Sequence, residues 1–311
     1  MKQMHMFENT FVKNSIIDRN ILTNIFIQTI KNIDERELVA MLYSKYEAII
    51  DFSRLCAGRK SGEKISMLFN PHRYNTPTRD SISIIDAFSN DGFLSGLARA
   101  SLFKEGVCKE LLYQVLQLGI NGVQYVNEFP PYIARDFYVQ YNAKTVLDPC
   151  AGWGGRMIGA ASVGAFYHGF EPCTKTYNGL IELGGFLKTF KTGFDYFIEN
   201  RAFEDVTLEN KYDFALTSPP YYDTELYSSE ETNSCVRYGT FDKWCAEFYI
   251  PMIDKVMACT NRFILNIGCR KYNLKRPIKY PVQEVKGRLS GIKGFGRMSK
   301  GKETFYLLKN I

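Results

Sequence analysis

One short stretch carries the architecture of this chain: Val146-Leu147-Asp148-Pro149-Cys150-Ala151-Gly152-Trp153-Gly154-Gly155-Arg156. An apolar segment typical of a strand leads into glycines, and a helical pattern follows. Glycines in such a turn let the backbone reverse sharply and approach a ligand closely. The helix start beyond them offers unpaired N–H groups to a polar or anionic group. The stretch therefore predicts the first strand-to-helix turn of a nucleotide-type binding sheet, although a turn without a ligand can have the same composition.

Short apolar segments alternate with helical patterns from Thr145 onward, which is typical of a parallel sheet with crossover helices. We predict strands at residues 145–147, 166–170, 194–198, 212–216, 262–267 and 304–308. We predict helices at residues 132–141, 156–163, 174–190 and 241–258. The expected fold is α/β, with a doubly wound Rossmann-like sheet.

The first part of the chain is mainly helical in pattern. Apolar residues recur at helical spacing between Ile17 and Ile30, and Asp34 with Glu37 forms a possible capping box before a second helical pattern. We therefore predict two helices within residues 15–57. The expected organisation is a mainly helical region at 1–120, which recognises substrate or acts as a lid, followed by the sheet domain at 121–311.

The composition is typical of a globular protein. With 311 residues and 45% hydrophobic side chains, the chain can bury a full core. The eight cysteines are scattered and there are three histidines, so we expect free thiols and no metal site. We find neither a leader-like start nor a membrane-spanning run, and we expect a cytoplasmic protein with no membrane partner. Frequent lysine, asparagine and isoleucine favour an AT-rich genome, such as that of a phage or another mobile element.

Positive charge is concentrated in one segment. Residues 270–302 contain eleven lysines and arginines opposed by Glu284 alone, whereas the whole chain has a net charge of only +6. The remainder is therefore slightly acidic. The segment is also rich in glycine and lies between the last two predicted strands, so we expect a cationic loop at the ligand edge of the sheet that holds phosphates. A solvated basic loop without a partner is the alternative.

Glu171 follows the second predicted strand, in Phe170-Glu171-Pro172. In doubly wound sheets, an acidic residue at this distance behind the glycine turn meets the ribose hydroxyls of a nucleotide. A carboxylate suits two hydroxyl donors because it has two accepting oxygens. Glu171 is therefore a candidate ribose-binding residue, and a cap for the following helix is the alternative.

A second motif ends the fourth predicted strand: Thr217-Ser218-Pro219-Pro220-Tyr221. Two prolines stiffen the backbone and remove two N–H donors, so nearby carbonyls remain as acceptors beside the Ser218 hydroxyl. Such acceptors can hold an amino group, and Tyr221 can stack on a base that has been flipped out of its helix. A rigid loop with core tyrosines is the alternative. Open α/β sheets bind their ligands at this edge, so we favour the first interpretation.

The two motifs together resemble those of S-adenosylmethionine-dependent amino-methyltransferases of the DNA cytosine-N4 and adenine-N6 type. Residues 148–154 are similar to the cofactor motif of that family. Residues 217–221 are similar to its catalytic motif, in the Ser-Pro-Pro-Tyr form often met in cytosine-N4 enzymes. The resemblance covers roughly residues 128–311. It implies a Rossmann-like methyltransferase sheet and S-adenosylmethionine as the cofactor.

The resemblance also implies roles for individual residues. The implied catalytic residues are Ser218, Pro219, Pro220 and Tyr221. The implied cofactor-binding residues of the glycine turn are Asp148, Pro149, Cys150, Ala151, Gly152 and Gly154. Glu171 would hold the ribose, Phe203 and Asp205 after the third strand would lie along the adenine, and Pro131, in Phe129-Pro130-Pro131, would line the methionine end.

The chain departs from the family pattern in the glycine turn, where Cys150 and Trp153 replace the more usual Phe and Ser. The expected activity is methyl transfer to an exocyclic amino group of a DNA base, cytosine N4 or adenine N6, with DNA as the partner. RNA is an alternative partner, because an RNA base amino-methyltransferase would need the same motifs. A non-catalytic subunit that binds cofactor and nucleic acid is a second alternative, and transfer of a group other than methyl is a third.

Overall fold

The computed structural model describes residues 19–78, 81–102, 116, 123, 126–224, 227–268, 272–286 and 304–309. The chain forms two compact units. The smaller comprises residues 1–44, 71–127 and 225–227, and the larger comprises residues 45–70, 128–224 and 228–311. This division differs from the predicted one at residues 120 and 121, because residues 45–70 belong to the unit that contains the sheet.

The smaller unit is helical in its described residues. Its α-helices are α1 (Arg19–Ile30), α2 (Glu35–Leu42), α5 (Ile84–Ala87) and α6 (Asp91–Leu102), with a 3-10 helix at Pro71–Asn75. The predicted capping box is confirmed, since Asp34 Oδ1 accepts from Glu37 N at 2.8 Å and Glu37 Oε2 accepts from Asp34 N at 3.1 Å. The prediction of two helices within 15–57 is wrong. Tyr43 adopts an extended conformation and ends α2, so a separate helix starts at Lys45.

The larger unit contains a seven-stranded sheet in the order β3-β2-β1-β4-β5-β7-β6. Its strands are β1 (Thr145–Asp148), β2 (Phe166–Phe170), β3 (Tyr196–Glu199), β4 (Phe214–Thr217), β5 (Phe263–Ile267), β6 (Val282–Val285) and β7 (Thr304–Leu308). Strands β1 to β5 are parallel, and β7 runs antiparallel between β5 and β6. The predicted α/β fold, with a doubly wound Rossmann-like sheet and a helical N-terminal region, is confirmed.

Helices cover both faces of the sheet. Those of the larger unit are α3 (Lys45–Cys56), α4 (Glu63–Phe69), α7 (Pro131–Gln140), α8 (Gly155–Val163), α9 (Thr174–Phe190), α10 (Ser234–Tyr238), α11 (Phe241–Trp244) and α12 (Ile250–Cys259). Strand residues alternate between two buried clusters: Val146 and Phe214 belong to one, and Leu147 and Ala215 to the other. Helices α3 and α4 pack on α8 and α9 as an additional layer, which is why they belong to this unit.

The predicted helix at 241–258 is interrupted. Residues Cys245–Tyr249 form a π-helical turn between α11 and α12, and Pro251 stands in the first turn of α12. A proline lacks the N–H that would continue the regular hydrogen-bond ladder, and π turns commonly accommodate such a defect within a helix. The predicted helix at 174–190 is confirmed as α9 with the same bounds.

The basic segment 270–302 is not a single loop, because it contains β6. Val282 pairs with Leu308 and Val285 with Phe305, so β6 runs toward the carboxyl edge of the parallel strands. The residues before it cross to the other edge, where Tyr280 donates to Asp254 on α12 at 2.9 Å. Residues 287–303 lie outside the described part of the chain, but the strand ends on either side of them, at Val285 and Thr304, both stand at the carboxyl edge. None of the described helices is long and apolar enough to cross a membrane.

Candidate active site at the carboxyl edge of the sheet

The two motifs meet where the strand order reverses. Strand β1 lies between β2 and β4, so the turns after β1 and β4 leave the sheet side by side at the point where open α/β sheets bind ligands. A hydrogen bond joins the two strand ends directly, from Thr217 Oγ1 to Asp148 Oδ1 at 2.8 Å. The glycine turn and the Ser-Pro-Pro-Tyr loop are therefore held next to each other.

Asp148 holds the glycine turn in place through hydrogen bonds. Its carboxylate is fully buried and also accepts from Arg156 Nε at 2.6 Å, from Tyr167 OH at 2.6 Å and from Cys150 N at 3.2 Å. A carboxylate has about four acceptor sites, and protein donors occupy all of them. The resemblance implies a cofactor contact for Asp148, whereas its observed surroundings make it the anchor that binds β1, β4 and α8 together.

The positions in the turn require glycine for different physical reasons. A side chain at Gly154 would approach Leu183 to 2.6 Å, and one at Gly155 would lie 2.0 Å from the Phe129 carbonyl oxygen, so both positions are closed by packing. At Gly152 the nearest atom to an added Cβ would be the Cys150 carbonyl oxygen at 3.9 Å. Gly152 also has a φ of +56°, which favours glycine. The backbone at Gly152 is therefore the open part of the turn, where a ligand can approach closely.

The remaining residues of the turn are held in place by the sheet. Pro149 and Ala151 are buried, and Ala151 N donates to the Phe170 carbonyl at 2.8 Å, which ties the turn to β2. Cys150 is half-buried, and its Sγ lies 3.7 Å from Met252 Sδ. Burial raises the pKa of the Cys150 thiol well above its ordinary value, so the thiol stays neutral and is not a nucleophile.

Glu171 lies at the end of β2, with 4% of its surface exposed. Its two carboxylate oxygens accept from Gly152 N and from Cys173 N, both at 2.9 Å. Burial raises the pKa of Glu171 to about 7, and only these two backbone donors counter that effect by hydrogen bonding. Each oxygen keeps acceptor capacity, which matches the two hydroxyl donors of a ribose. The carboxylate and the open backbone of Gly152 therefore fit a nucleoside cofactor.

Phe203 and Asp205 lie in a 3-10 turn after β3. Phe203 is buried and its ring meets that of Phe170 edge-on, with centroids 5.0 Å apart. Asp205 forms a two-pronged ion pair with Arg237 of α10, at 2.6 and 2.8 Å. The Asp205 carboxylate is thus engaged by the protein, so the part of this turn that can lie along an adenine is the Phe203 region.

Residues 228–240, which we call the bridging segment, connect the start of α9 with the turn after β3. Glu230 accepts from Thr174 N at 3.0 Å and from Thr174 Oγ1 at 2.8 Å, at the start of α9. Farther along, Tyr238 OH donates to Glu204 Oε1 at 2.9 Å, next to the Arg237 pair with Asp205. The sequence analysis missed this segment, since no local pattern marks charges that pair across more than thirty residues.

The Ser-Pro-Pro-Tyr loop leaves β4 with Ser218 half-buried, Pro219 buried and Pro220 exposed. Ser218 Oγ and Tyr221 OH are 3.4 Å apart. Both are contacted by Asn266 Nδ2, at 3.1 and 3.3 Å. The structure therefore brings Ser218 and Tyr221 together and adds Asn266, which the sequence analysis missed although it is the one polar residue in the apolar strand β5.

The backbone turns sharply after the motif. Tyr222 is one of two non-glycine residues with positive φ in the described chain, at +57°, a conformation that costs a bulky residue free energy. Its hydroxyl donates to the Gly239 carbonyl at 2.6 Å, and its ring meets those of Phe241 and Tyr272 edge-on. These contacts hold the strained turn and connect the loop to the end of the bridging segment.

No protein-family model matches this chain, and no curated protein matches its sequence. Among solved structures, TrmN from Thermus thermophilus is similar, with 17% identity, a TM-score of 0.39, and 58% of this chain and 49% of that chain covered. An rRNA methylase from Streptococcus thermophilus is 11% identical, with a TM-score of 0.39 and coverage of 60% and 99%. The chain thus spans about half the length of TrmN.

Two residues ahead of β1, Phe129 and Pro131, differ in their position relative to the glycine turn. Phe129 lies beside the glycine turn, because its carbonyl is next to Gly155 and its ring lies 5.2 Å from the guanidinium carbon of Arg156. Pro131 is buried in the first turn of α7, where its side chain closes the space at Gly62. Phe129 is therefore better placed than Pro131 to border the turn.

Among the described residues, no cluster of His, Cys, Asp and Glu could hold a metal ion.

Proposed function

We propose that the chain is an S-adenosylmethionine-dependent methyltransferase that acts on an exocyclic amino group of a nucleic-acid base, with cytosine N4 or adenine N6 of DNA as the leading target. The observation that carries the proposal is the direct hydrogen bond between Asp148 and Thr217. It places a turn that fits a nucleoside cofactor next to a loop whose hydroxyls and carbonyls fit an amino group.

In this proposal, the cofactor side of the site consists of Gly152 and Glu171. The Gly152 backbone allows close approach, and Glu171 has acceptor capacity for two ribose hydroxyls. When bound, S-adenosylmethionine supplies a methyl group on a positively charged sulfur. Phe203 is buried within the turn after β3, next to the position expected for the adenine.

The substrate side consists of residues 218–221. The Ser218 hydroxyl and the carbonyls of the proline loop accept from the amino N–H groups, which turns the nitrogen lone pair toward the methyl donor. With the cofactor bound, a nitrogen–methyl bond would form as the sulfur–methyl bond breaks, which would leave S-adenosylhomocysteine, and the amino group would then lose a proton to solvent. Correct placement of the two reactants provides most of the rate enhancement. A buried charged base is not needed for this step.

Nucleic acid is the proposed substrate because of the charge distribution. The ends of β6 and β7 that bound residues 287–303 stand at the same edge as both motifs. Those residues include Arg288, Lys293, Arg297, Lys300 and Lys302. Phosphate contacts from lysine and arginine would hold either DNA or RNA. RNA is therefore the second candidate substrate, since the acceptor arrangement at Ser218 serves an amino group of either polymer.

Incubation with methyl-labelled S-adenosylmethionine tests the proposal. Purified protein is given unmodified duplex DNA or total RNA, and the nucleic acid is digested to nucleosides. We expect label in N4-methylcytosine or N6-methyladenine from DNA. Label from RNA alone would transfer the proposal to RNA. No label, despite measurable binding of the cofactor, would contradict catalysis and favour a binding subunit.

Tyr221→Ala is the matched catalytic variant. The ring offers a stacking surface and a hydroxyl beside Ser218, but it makes none of the described contacts with Gly152 or Glu171. We expect methyl transfer to fall by at least roughly 100-fold, since stacking and the hydrogen bond are both lost, while cofactor affinity stays within about two-fold. Scintillation counting measures the first and calorimetry with S-adenosylhomocysteine the second. Unchanged transfer would show that Tyr221 is not catalytic.

A further inference from the structure

Asn266 stands apart from the rest of β5. The strand reads Phe-Ile-Leu-Asn-Ile over residues 263–267, and Asn266 is fully buried near its carboxyl end. The neighbouring pairing of Thr217 with Leu265 places this end beside the end of β4. A buried amide is costly unless it forms hydrogen bonds, so an apolar residue would stabilise the strand more simply. Contacts outside the strand should therefore explain why a buried amide stands at this position.

The amide contacts explain its position. Asn266 Nδ2 donates to Ser218 Oγ at 3.1 Å and to Tyr221 OH at 3.3 Å, and the two hydroxyl oxygens are 3.4 Å apart. The three polar groups thus form a closed triangle. Both partners belong to the Ser-Pro-Pro-Tyr loop, and the side chain reaches this loop from a rigid, central strand.

The donor and acceptor capacities of the three polar groups determine how the triangle can bind a substrate. Each hydroxyl has one donor hydrogen and two acceptor sites, whereas an amide NH₂ group has two donor hydrogens. Asn266 occupies one acceptor site on each hydroxyl. When Ser218 donates to Tyr221 across the 3.4 Å contact, the Ser218 oxygen keeps one acceptor site, and that oxygen is held in a fixed direction. A fixed acceptor at Ser218 is what an amino substrate needs to align its lone pair.

We propose that Asn266 is a positioning residue that holds the Ser218 and Tyr221 hydroxyls in the orientation required for methyl transfer. The inference rests on the proposed function for its catalytic meaning. It assigns to β5 a role in the site in addition to its role in the core.

Asn266→Asp and Asn266→Ala test the inference in the full chain. Aspartate has nearly the same shape, but it lacks the NH₂ group that donates to both hydroxyls. We expect kcat to fall roughly 10- to 100-fold in both variants. The affinity for S-adenosylhomocysteine and KM for the nucleic acid should change by less than about three-fold. Asn261→Ala, at an exposed position before β5, is the matched control and should leave kcat unchanged.

A double-mutant cycle separates positioning from a general effect on the fold. If Asn266 acts through Ser218, the Ser218→Ala, Asn266→Ala double variant should be no slower than Ser218→Ala by more than about three-fold. Losses of kcat that multiply fully would overturn the inference. Thermal unfolding of each variant is followed alongside, so that kcat is compared only at temperatures where every variant is folded.

A spectroscopic measurement keeps the inference testable without turnover. The protein is labelled with 3-fluorotyrosine, and the Tyr221 signal is assigned by its loss in Tyr221→Phe. We expect this ¹⁹F resonance to shift in Asn266→Asp and to stay in place in Asn261→Ala. An unmoved resonance would overturn the inference even if the wild type is active. If the resonance moves but the wild type methylates neither DNA nor RNA, the proposed function fails and the catalytic part of the inference fails with it.

Discussion

Glu171 is a buried carboxylate whose ionisation lowers the stability of the folded chain. It is almost completely buried, and two backbone N–H groups donate to it without compensating for the loss of water. Its pKa in the folded chain is about 7, compared with an ordinary value of 4.5. The folded state therefore binds more protons than the unfolded state between these two values, and its stability decreases as the pH rises through that window.

We expect Glu171→Gln to remove most of the pH dependence of stability and to weaken cofactor binding. Between pH 4 and pH 8 the ionisation of Glu171 should cost the wild type about 3 kcal/mol of stability, and the neutral amide avoids this loss. The amide NH₂ group cannot accept a hydrogen bond, so the variant gives up one of the two backbone hydrogen bonds at both pH values. The affinity for S-adenosylhomocysteine should fall roughly 10- to 100-fold, because a neutral acceptor forms weaker hydrogen bonds with ribose. Denaturant unfolding at both pH values and calorimetry measure the two effects.

The control for this prediction is Glu182→Gln on α9, where the side chain is exposed. It should change neither stability nor affinity. Loss of affinity with an unchanged pH dependence of stability would contradict the assignment of a buried carboxylate with a raised pKa. Loss of the pH dependence with unchanged affinity would contradict the ribose-binding role.

At the scale of elements, the bridging segment connects the start of α9, the turn after β3 and the Ser-Pro-Pro-Tyr loop. Its contacts are made by Glu230, Arg237, Tyr238 and Gly239. The turn after β3 and the Ser-Pro-Pro-Tyr loop carry candidate site residues, and α9 begins three residues after Glu171. The ion pair between Arg237 and Asp205 is partly exposed, so it contributes little to the free energy of unfolding.

We expect Arg237→Ala to speed cofactor release without unfolding the protein. Loss of the pair with Asp205 would loosen the segment over the turn after β3, and dissociation of S-adenosylhomocysteine should accelerate roughly five- to ten-fold. The stability change should stay within about 1 kcal/mol. Stopped-flow fluorescence measures the rate. Lys188→Ala removes an equally short, exposed pair with Asp195 and serves as the control; equal rates in the two variants would contradict the role of the segment.

At the scale of the whole molecule, charge is separated along the chain. Residues 270–302 contain eleven basic residues and one acidic residue, whereas the net charge of the whole chain is only +6. The rest of the chain therefore has a slightly negative net charge. Two of the basic residues are engaged within the larger unit: Lys279 pairs with Asp254 at 2.9 Å, and the Lys275 ammonium lies 5.0 Å from the centre of the Tyr306 ring. The residues with the proposed phosphate role are therefore those of 287–303.

We expect the triple replacement of Arg288, Lys293 and Arg297 by glutamine to weaken nucleic-acid binding. Each lost phosphate contact should lower the slope of log affinity against log salt by about 0.9 for duplex DNA, so the triple variant should lose roughly 2.7. Cofactor affinity should not change. Fluorescence anisotropy with labelled duplex DNA at several salt concentrations measures the slope.

The matched control removes three positive charges from the opposite edge of the sheet, by glutamine at Lys144, Lys188 and Lys191. It lowers the net charge equally, so only the location of the charge differs. An equal change of slope in both triple variants would mean that the protein attracts nucleic acid through its total charge. An unchanged slope in the first variant would remove these residues from the interface.

Local sequence patterns were sufficient to predict most strands of the sheet. Apolar runs predicted β1, β2 and β7 almost to the residue, and helical periodicity predicted α9 with its exact bounds. Strand β6 was missed, because its exposed, polar residues Gln283 and Glu284 do not form an apolar run. It is an edge strand that exists through its pairing with β7, and pairing partners are not visible in a local pattern.

The amino-acid sequence alone determined the fold class and the two motifs, because glycines, prolines and apolar periodicity act within a few residues of themselves. Only the tertiary structure decided which side chains share the site. Asn266 contacts Ser218 from 48 positions away, and Arg237 contacts Asp205 from 32 positions away. It also showed that Asp148 is saturated by protein donors while Glu171 is not. Asp148 ends β1 and Glu171 directly follows β2, and their different surroundings depend on neighbours that only the folded chain brings into contact.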